Sequence, residues 1–175
     1  LAAARAPAVL AAWQGLGYNR RARFLHRAAK EIVARFGGRI PADPADLASL
    51  PGIGEATAAS IAAFAFDRPV VFIETNIRSV FIHHFFADRD GVPDDAITPL
   101  VARTLDRRNP ARWYAALMDY GTALKKRHPN PSRRSAHHTR QSPFEGSDRQ
   151  VRGAVLRILL DGKRRTAAAI AKTTG

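Results

Sequence analysis

Over residues 19–36, Ala22, Leu25, Ala29, Ile32, Val33 and Phe36 recur at helical spacing. Arg20, Arg21, Arg23, Arg27, Lys30 and Arg35 fill the other face, and Gly37-Gly38 ends the pattern. Asp43-Pro44 then offers an N-cap followed by proline at the first helical position, predicting a short helix to about Ser49. A second helix, dense in small residues, is predicted from Glu55 to Phe66. Val70-Val71-Phe72-Ile73 reads either as a strand or as an extended lead into a helix over Asn76–Phe86. In that helix Ile77, Val80, Phe81, His84 and Phe85 share a face. Further helices are predicted at about Asp94–Leu105, Pro110–Lys126, from Asp148 onward through Val151, Val155, Leu156 and Leu159, and at Thr166–Ala171. With so little strand signal, the class is all-α.

The chain has 175 residues, a net charge of +13 and 46% hydrophobic residues, so a packed core is expected. Such basicity favours polyanions, nucleic acid first and an anionic membrane second. The longest weakly polar run, Ala56–Phe66, is too short to span a bilayer. There is no secretory pattern at the start, so the expectation is a cytoplasmic, nucleoid-associated protein without membrane contact. Cysteine is absent, which excludes disulfides and thiolate metal sites within these residues. The abrupt ends at Leu1 and Gly175 read as those of a fragment.

The stretch ASLPGIGEATA, residues 48–58, breaks one helix and restarts another at once. Glycines there allow a tight turn. The restart leaves the first amides of the second helix unpaired, and with the helix dipole they suit a phosphate oxygen. Such contacts hold a nucleic-acid backbone and carry no sequence information. The plain alternative is an ordinary turn between helices with a glycine stop.

LPGIGEATAASIAAFA (50–65) resembles the helix-hairpin-helix of the DNA glycosylase superfamily that includes endonuclease III and the adenine-DNA glycosylases. VLAAWQGLGYNRRARFLHRAAKEI (9–32) is similar to the helix pair before that hairpin. VFIETNIRSVFIHHFF (71–86) is similar to the catalytic loop and following helix, and YAALMDYGTALKK (114–126) to the last barrel helix. The resemblance runs in order over residues 1–126 and implies a helix-hairpin-helix glycosylase barrel, incomplete at its N-terminus. The partner implied is double-stranded DNA with a mismatched or damaged base, bound by a monomer.

Carried over residue by residue, Leu50, Pro51, Gly52, Ile53 and Gly54 match the family's phosphate clamp, with Glu55 and Thr57 in the next turn. The clamp's carbonyls, at Leu50 and Ile53, can hold a monovalent cation; no metal is expected on side chains. Ala56 stands where bifunctional members carry a Schiff-base lysine, which implies base removal without strand cleavage. Glu74 stands where the family has a catalytic Asp. A carboxylate there stabilises the sugar cation that develops as the base leaves. The plain reading of Glu74 is a solvated residue at a helix N-terminus. Asn76 matches the Asn of adenine-DNA glycosylases, and Tyr18 in GLGYN a tyrosine near the DNA or base pocket.

Two departures follow. The family's iron–sulfur cysteines have no counterpart, so no cofactor is expected. The basic stretch 127–147 takes their place, between a core at 1–126 and C-terminal helices at 148–175 that resemble the opening of a winged-helix domain. Lys125, Lys126, Arg127, Arg133, Arg134 and Arg140 are expected to contact phosphates or to form a solvated tail. The family's base-protonating Glu and Gln-rich turn belong to a segment before the part matched here, and neither occurs in these residues. His83-His84 and His137-His138 are poor zinc candidates, with His84 expected in the core beside Trp13 and Trp113 as anchors. The expected activity is hydrolysis of an N-glycosidic bond, adenine opposite guanine or 8-oxoguanine first. The alternatives are thymine or uracil opposite guanine, or a non-catalytic DNA-binding remnant.

Overall fold

The computed structural model describes residues 1–174, and they are all-helical: α1 (Ala6–Ala12), α2 (Arg20–Phe36), α3 (Pro44–Ala48), α4 (Glu55–Phe66), α5 (Thr75–Phe85), α6 (Asp94–Thr104), α7 (Pro110–Arg127), α8 (Asp148–Leu159) and α9 (Ala167–Thr174). A 3-10 turn covers Pro131–Arg134. The predicted helices are present with boundaries moved by a few residues. Among the described residues no helix is long and apolar enough to cross a membrane.

Packing groups the chain into two units that cut across the order of the sequence. The first is Leu1–Ile40, Leu50–Gly52 and Arg140–Gly175; the second is Pro41–Ser49 and Ile53–Thr139.

In the first unit α1 packs on α2 and α8 on α9. Proline opens α1 and left-handed Gly37 closes α2 at φ 59°. The apolar stripe predicted for α2 is only partly buried. Ala22, His26 and Ala28 are the buried residues, while Leu25 and Val33 are exposed. The burial seam therefore runs about one residue off the predicted stripe and recruits His26. Trp13 is half-buried rather than a core anchor: its indole N–H donates to Gly17 O at 2.9 Å, and Arg21 lies over its ring.

The second unit holds the main core. Phe72, Ile77, Val80, Phe81, Ile82, Val92, Ile97, Val101, Tyr114 and Leu124 form one buried cluster, with Trp113 packed against it. Helix α4 brings the small residues Ala58, Ala62 and Ala63 inward, which lets α3 and α7 approach closely. Helices α5 and α7 share the most extensive contact, and Gly121 marks its closest point. A Cβ built there would lie 2.4 Å from Asn76 O. Val70–Ile73 lies outside any helix or strand and leads into α5, so it is a lead-in segment rather than a strand. His84, expected in the core, is exposed, with Nε2 2.7 Å from Tyr120 Oη and the two rings stacked. The reason is its place in the last turn of α5, beyond the reach of the cluster.

Residues 131–136 of the basic stretch after α7 are packed rather than a solvated tail. Pro131, Ser132 and Ser135 are buried, and the 3-10 turn packs on α5. Val92 N donates to Arg134 O and Ala136 N to Val92 O, both at 2.9 Å. The Arg134 guanidinium donates to Phe86 O at 2.9 Å and also to Ala87 O, capping the end of α5.

Candidate functional site

The hairpin is built from two capped short elements. Asp43 Oδ1 accepts from Ala45 N at 2.8 Å, starting α3 as its Asp-Pro signature demands. In the first unit, Gly52 sits at φ +80°, and a Cβ on it would lie 2.5 Å from Phe24 Cβ. No other residue fits there, because both the left-handed backbone and the close approach to Phe24 require glycine. In the second unit, Gly54 caps α4 without a side-chain hydrogen bond, at φ −87° and ψ 170°. Ala58 N is the first amide of α4 to find a partner, Gly54 O at 2.8 Å. The amides of Glu55, Ala56 and Thr57 have no acceptor among the described residues, and all three residues are exposed. This is the geometry of an open anion site at a helix start.

Glu74 is the N-cap of α5. Its Oε1 accepts from Asn76 N at 2.5 Å and from Ile77 N at 3.1 Å. Among the described residues Oε2 has no hydrogen-bond partner, and the residue is half-buried. Glu74 is thus a half-buried helix cap rather than a solvated residue, with one oxygen ordering the start of α5 and the other without a partner among the described residues. Asn76 Oδ1 is buried without a partner among the described residues, and its amide nitrogen lies 3.9 Å from Met118 Sδ.

Tyr114 holds the lead-in to Glu74. The buried phenol donates to Val70 O at 2.8 Å and accepts from Phe72 N at 3.3 Å, and its ring lies 4.1 Å from that of Phe72. Burial pushes its hydroxyl pKa up, partly offset by the Phe72 amide. The sequence reading missed this clamp. Its signal was a Tyr at a core position of α7, where a buried hydroxyl must find a partner.

A cleft of about 680 Å³ in the second unit is lined by Ala56, Ala59 and Val70–Ile73, with Glu55 and Asp94 among its polar groups. Ala56 therefore contributes only a methyl group to this cleft. Nearby, Arg78 pairs Asp94 through two hydrogen bonds of 2.7 Å. That hydrogen bonding holds the Asp94 carboxyl below the usual carboxylate range against the opposing effect of burial, and raises Arg78.

The remaining basic candidates divide. Lys125 is half-buried and Lys126 exposed in the last turn of α7, and Arg133 is exposed. Arg134, expected to face phosphate, turns inward on Phe86 and Ala87 because the carbonyls at the end of α5 need donors. Tyr18 belongs to the first unit, 63% exposed at a strained φ of 48°, and its phenol oxygen accepts from Gln141 Nε2 at 2.8 Å. Among the described residues no group of three His, Cys, Asp or Glu side chains could hold a metal. The His83 ring packs 4.8 Å from both His84 and His128; desolvation and these neighbours, with Arg134, lower its pKa.

Residues 35–64 match the helix-hairpin-helix motif family. The chain is 35% identical over 176 residues to an adenine DNA glycosylase of Mycolicibacterium smegmatis, covering 91% of this chain and 60% of that protein. It is 32% identical to one of Mycobacterium tuberculosis, covering 86% and 56% respectively. An Arabidopsis thaliana adenine DNA glycosylase matches at 35% identity over 117 residues, 64% of this chain and 18% of the plant protein. The chain thus spans somewhat more than half the length of its two mycobacterial relatives.

Proposed function

Since this chain belongs to the helix-hairpin-helix DNA glycosylase superfamily, we propose that it removes a base from duplex DNA by hydrolysis, without cutting the strand. The carrying observation is Glu74. Its carboxylate is fixed at the start of α5 through one oxygen and leaves the other unspent. In the reaction the C1′–N bond breaks with its electron pair leaving on the base, which takes up a proton. The sugar becomes an oxocarbenium ion, whose charge Glu74 offsets. Water adds to C1′ and loses a proton, giving an abasic site. Ala56 offers no amine, so no Schiff base forms and the backbone stays intact.

The amides of Glu55, Ala56 and Thr57 would grip a phosphate of the duplex, with Lys125, Lys126 and Arg133 adding charge. For a monovalent cation the donors on offer are the carbonyls of Leu50 and Ile53. Neither accepts a backbone hydrogen bond among the described residues. Adenine is the base that the relatives' names favour; we propose that it is removed opposite guanine or 8-oxoguanine, with thymine or uracil opposite guanine as the alternative. Such an enzyme would act as a monomer on nucleoid DNA in the cytoplasm. One observation favours a second reading, a DNA-binding remnant: Oε1 of Glu74 is engaged in capping α5.

The test is single-turnover base release from labelled A:8-oxoguanine, A:G, U:G and T:G duplexes, followed by alkali, with Glu74→Gln alongside. The Gln side chain keeps an oxygen acceptor for the cap, so a loss reports on charge rather than folding. Release from one pair, falling at least about a hundredfold in the variant, supports the proposal. Duplex binding without release from any pair leaves the remnant reading.

A further inference from the structure

Arg78 stands four residues after Glu74, one turn further along α5. An acid followed by a base at that spacing is the favourable order for an ion pair on a helix. The backbone already joins the two, Arg78 N donating to Glu74 O at 2.8 Å. Their side chains nonetheless share no hydrogen bond among the described residues. The Arg78 guanidinium goes instead to Asp94, the first residue of α6, through two nitrogens at 2.7 Å each.

This hold on the guanidinium is firm. The Arg78 and Asp94 side chains are only 15% and 30% exposed, so their two-pronged pair is shielded from water in a way that surface pairs are not. Hydrogen bonding to Asp94 is the main cause of the raised Arg78 pKa, burial opposes it, and the charge of Glu74 adds to it. Glu74 is therefore within electrostatic reach of the guanidinium without holding it. Its Oε1 is engaged by the amides of Asn76 and Ile77, so Oε2 is the oxygen that a released Arg78 would take.

We propose that Asp94 is a positioning residue: it holds the Arg78 guanidinium off Glu74 and so keeps Oε2 unpaired for the sugar cation. The inference rests on the glycosylase reading of Glu74. A guanidinium on Oε2 would cancel the negative charge that offsets the oxocarbenium ion, and would bring a positive charge beside a developing one. The two partners of the pair are therefore unequal. Without Asp94 the guanidinium is free to take Glu74, whereas without Arg78 there is no competitor and Glu74 stays free. A pair that served the fold alone would make the loss of either partner similarly harmful.

The test compares single-turnover base release by Asp94→Asn, Arg78→Gln and the double variant, with folding checked by circular dichroism. A hydrogen bond to a charged group is worth about tenfold or more, so Asp94→Asn should slow release by at least about tenfold. Arg78→Gln should release base near the parent's rate, and adding it to Asp94→Asn should restore that rate. Asp94→Glu, which keeps the carboxylate, should retain most of it. His137→Gln removes the other cation beside Asp94, at 4.0 Å, and should change little. A second readout needs no activity: the Arg78 Nε–Hε resonance in a nitrogen–proton NMR spectrum. Glu74→Gln should move that resonance far more in the Asp94→Asn background than in the parent. The proposal is overturned if Asp94→Asn releases base as fast as the parent, if Arg78→Gln is as slow as Asp94→Asn, or if the resonance responds equally in both backgrounds. A parent that releases no base from any duplex sinks the reading of Glu74, and the resonance then supports or overturns the hold of Asp94 on Arg78 by itself.

Discussion

Gly121→Ala separates intrinsic helix propensity from packing because the two give opposite signs. Gly121 lies inside α7, where replacing glycine by alanine ordinarily stabilises a helix by about 1 kcal/mol. Here the added methyl would sit 2.4 Å from Asn76 O, 2.8 Å from Asn76 Cβ and 2.9 Å from Asn76 C. The obstacle is backbone in the first turn of α5, so no rotamer change can relieve it. Reaching an ordinary carbon–oxygen contact of about 3.4 Å requires α5 and α7 to part by about 1 Å. Overpacking of that kind costs about 2–3 kcal/mol, leaving a net loss of about 1–2 kcal/mol after the propensity gain. In a chain of this size that lowers the melting temperature by about 2–8 °C. The same displacement moves Glu74, whose cap bonds go to Asn76 and Ile77. On the proposed role of Glu74, an error of about 1 Å at that carboxylate would cost on the order of a hundredfold in rate. Thermal unfolding followed by circular dichroism, with single-turnover base release on the same protein, reads both. A melting temperature equal to or above that of the parent would refute the packing argument.

Tyr114→Phe leaves Val70 O and Phe72 N without their buried partner and should cost about 2 kcal/mol. Amide exchange at Phe72 should accelerate more than at Ile97; equal acceleration would mean a general loss of stability rather than a loosened lead-in to Glu74. Asp94 has its folded pKa below its ordinary 3.8. Its contribution is therefore complete above that value and is lost as pH falls through the lower folded pKa. Asp94→Asn should be less stable near neutrality and show a flatter acid limb in a pH series of urea midpoints; parallel limbs would show that the Arg78 pair is not the source. Arg134→Gln, which removes the donors to Phe86 O and Ala87 O, should destabilise by about 1–2 kcal/mol. Its effect on duplex affinity should be smaller than that of Arg133→Gln; the reverse order would return Arg134 to the DNA.

The helices were legible because their signals are local. Asp43-Pro44, Gly37 and the 3.6-residue spacing each act within a turn or two of the chain. The hairpin was legible for the same reason, its glycines marking a tight turn and the start of α4, while the close approach of Gly52 to Phe24, far off in sequence, was not. What stayed hidden depends on partners distant in sequence. Leu25 and Val33 look like core residues until the packing seam of α2 is known. His84 falls on the apolar face of its helix but past the end of the cluster. Arg134 looks like any other cation in a basic run until the open end of α5, nearly fifty residues earlier, claims it. Tyr114 and Val70 meet across a similar separation, and no pattern in either segment announces the other.

The tether of the 131–136 segment has a consequence for the chemistry of the cell. This segment is held by peptide groups and one guanidinium, and the chain contains no cysteine and a single methionine, half-buried Met118. Its folding is therefore not linked by mass action to any metal that thiolates would bind. Iron starvation, chelators and peroxide act on thiolate-held loops through ligand loss and sulfur oxidation. Here they find no such handle, and this part of the fold should persist through oxidative stress, when DNA lesions accumulate fastest.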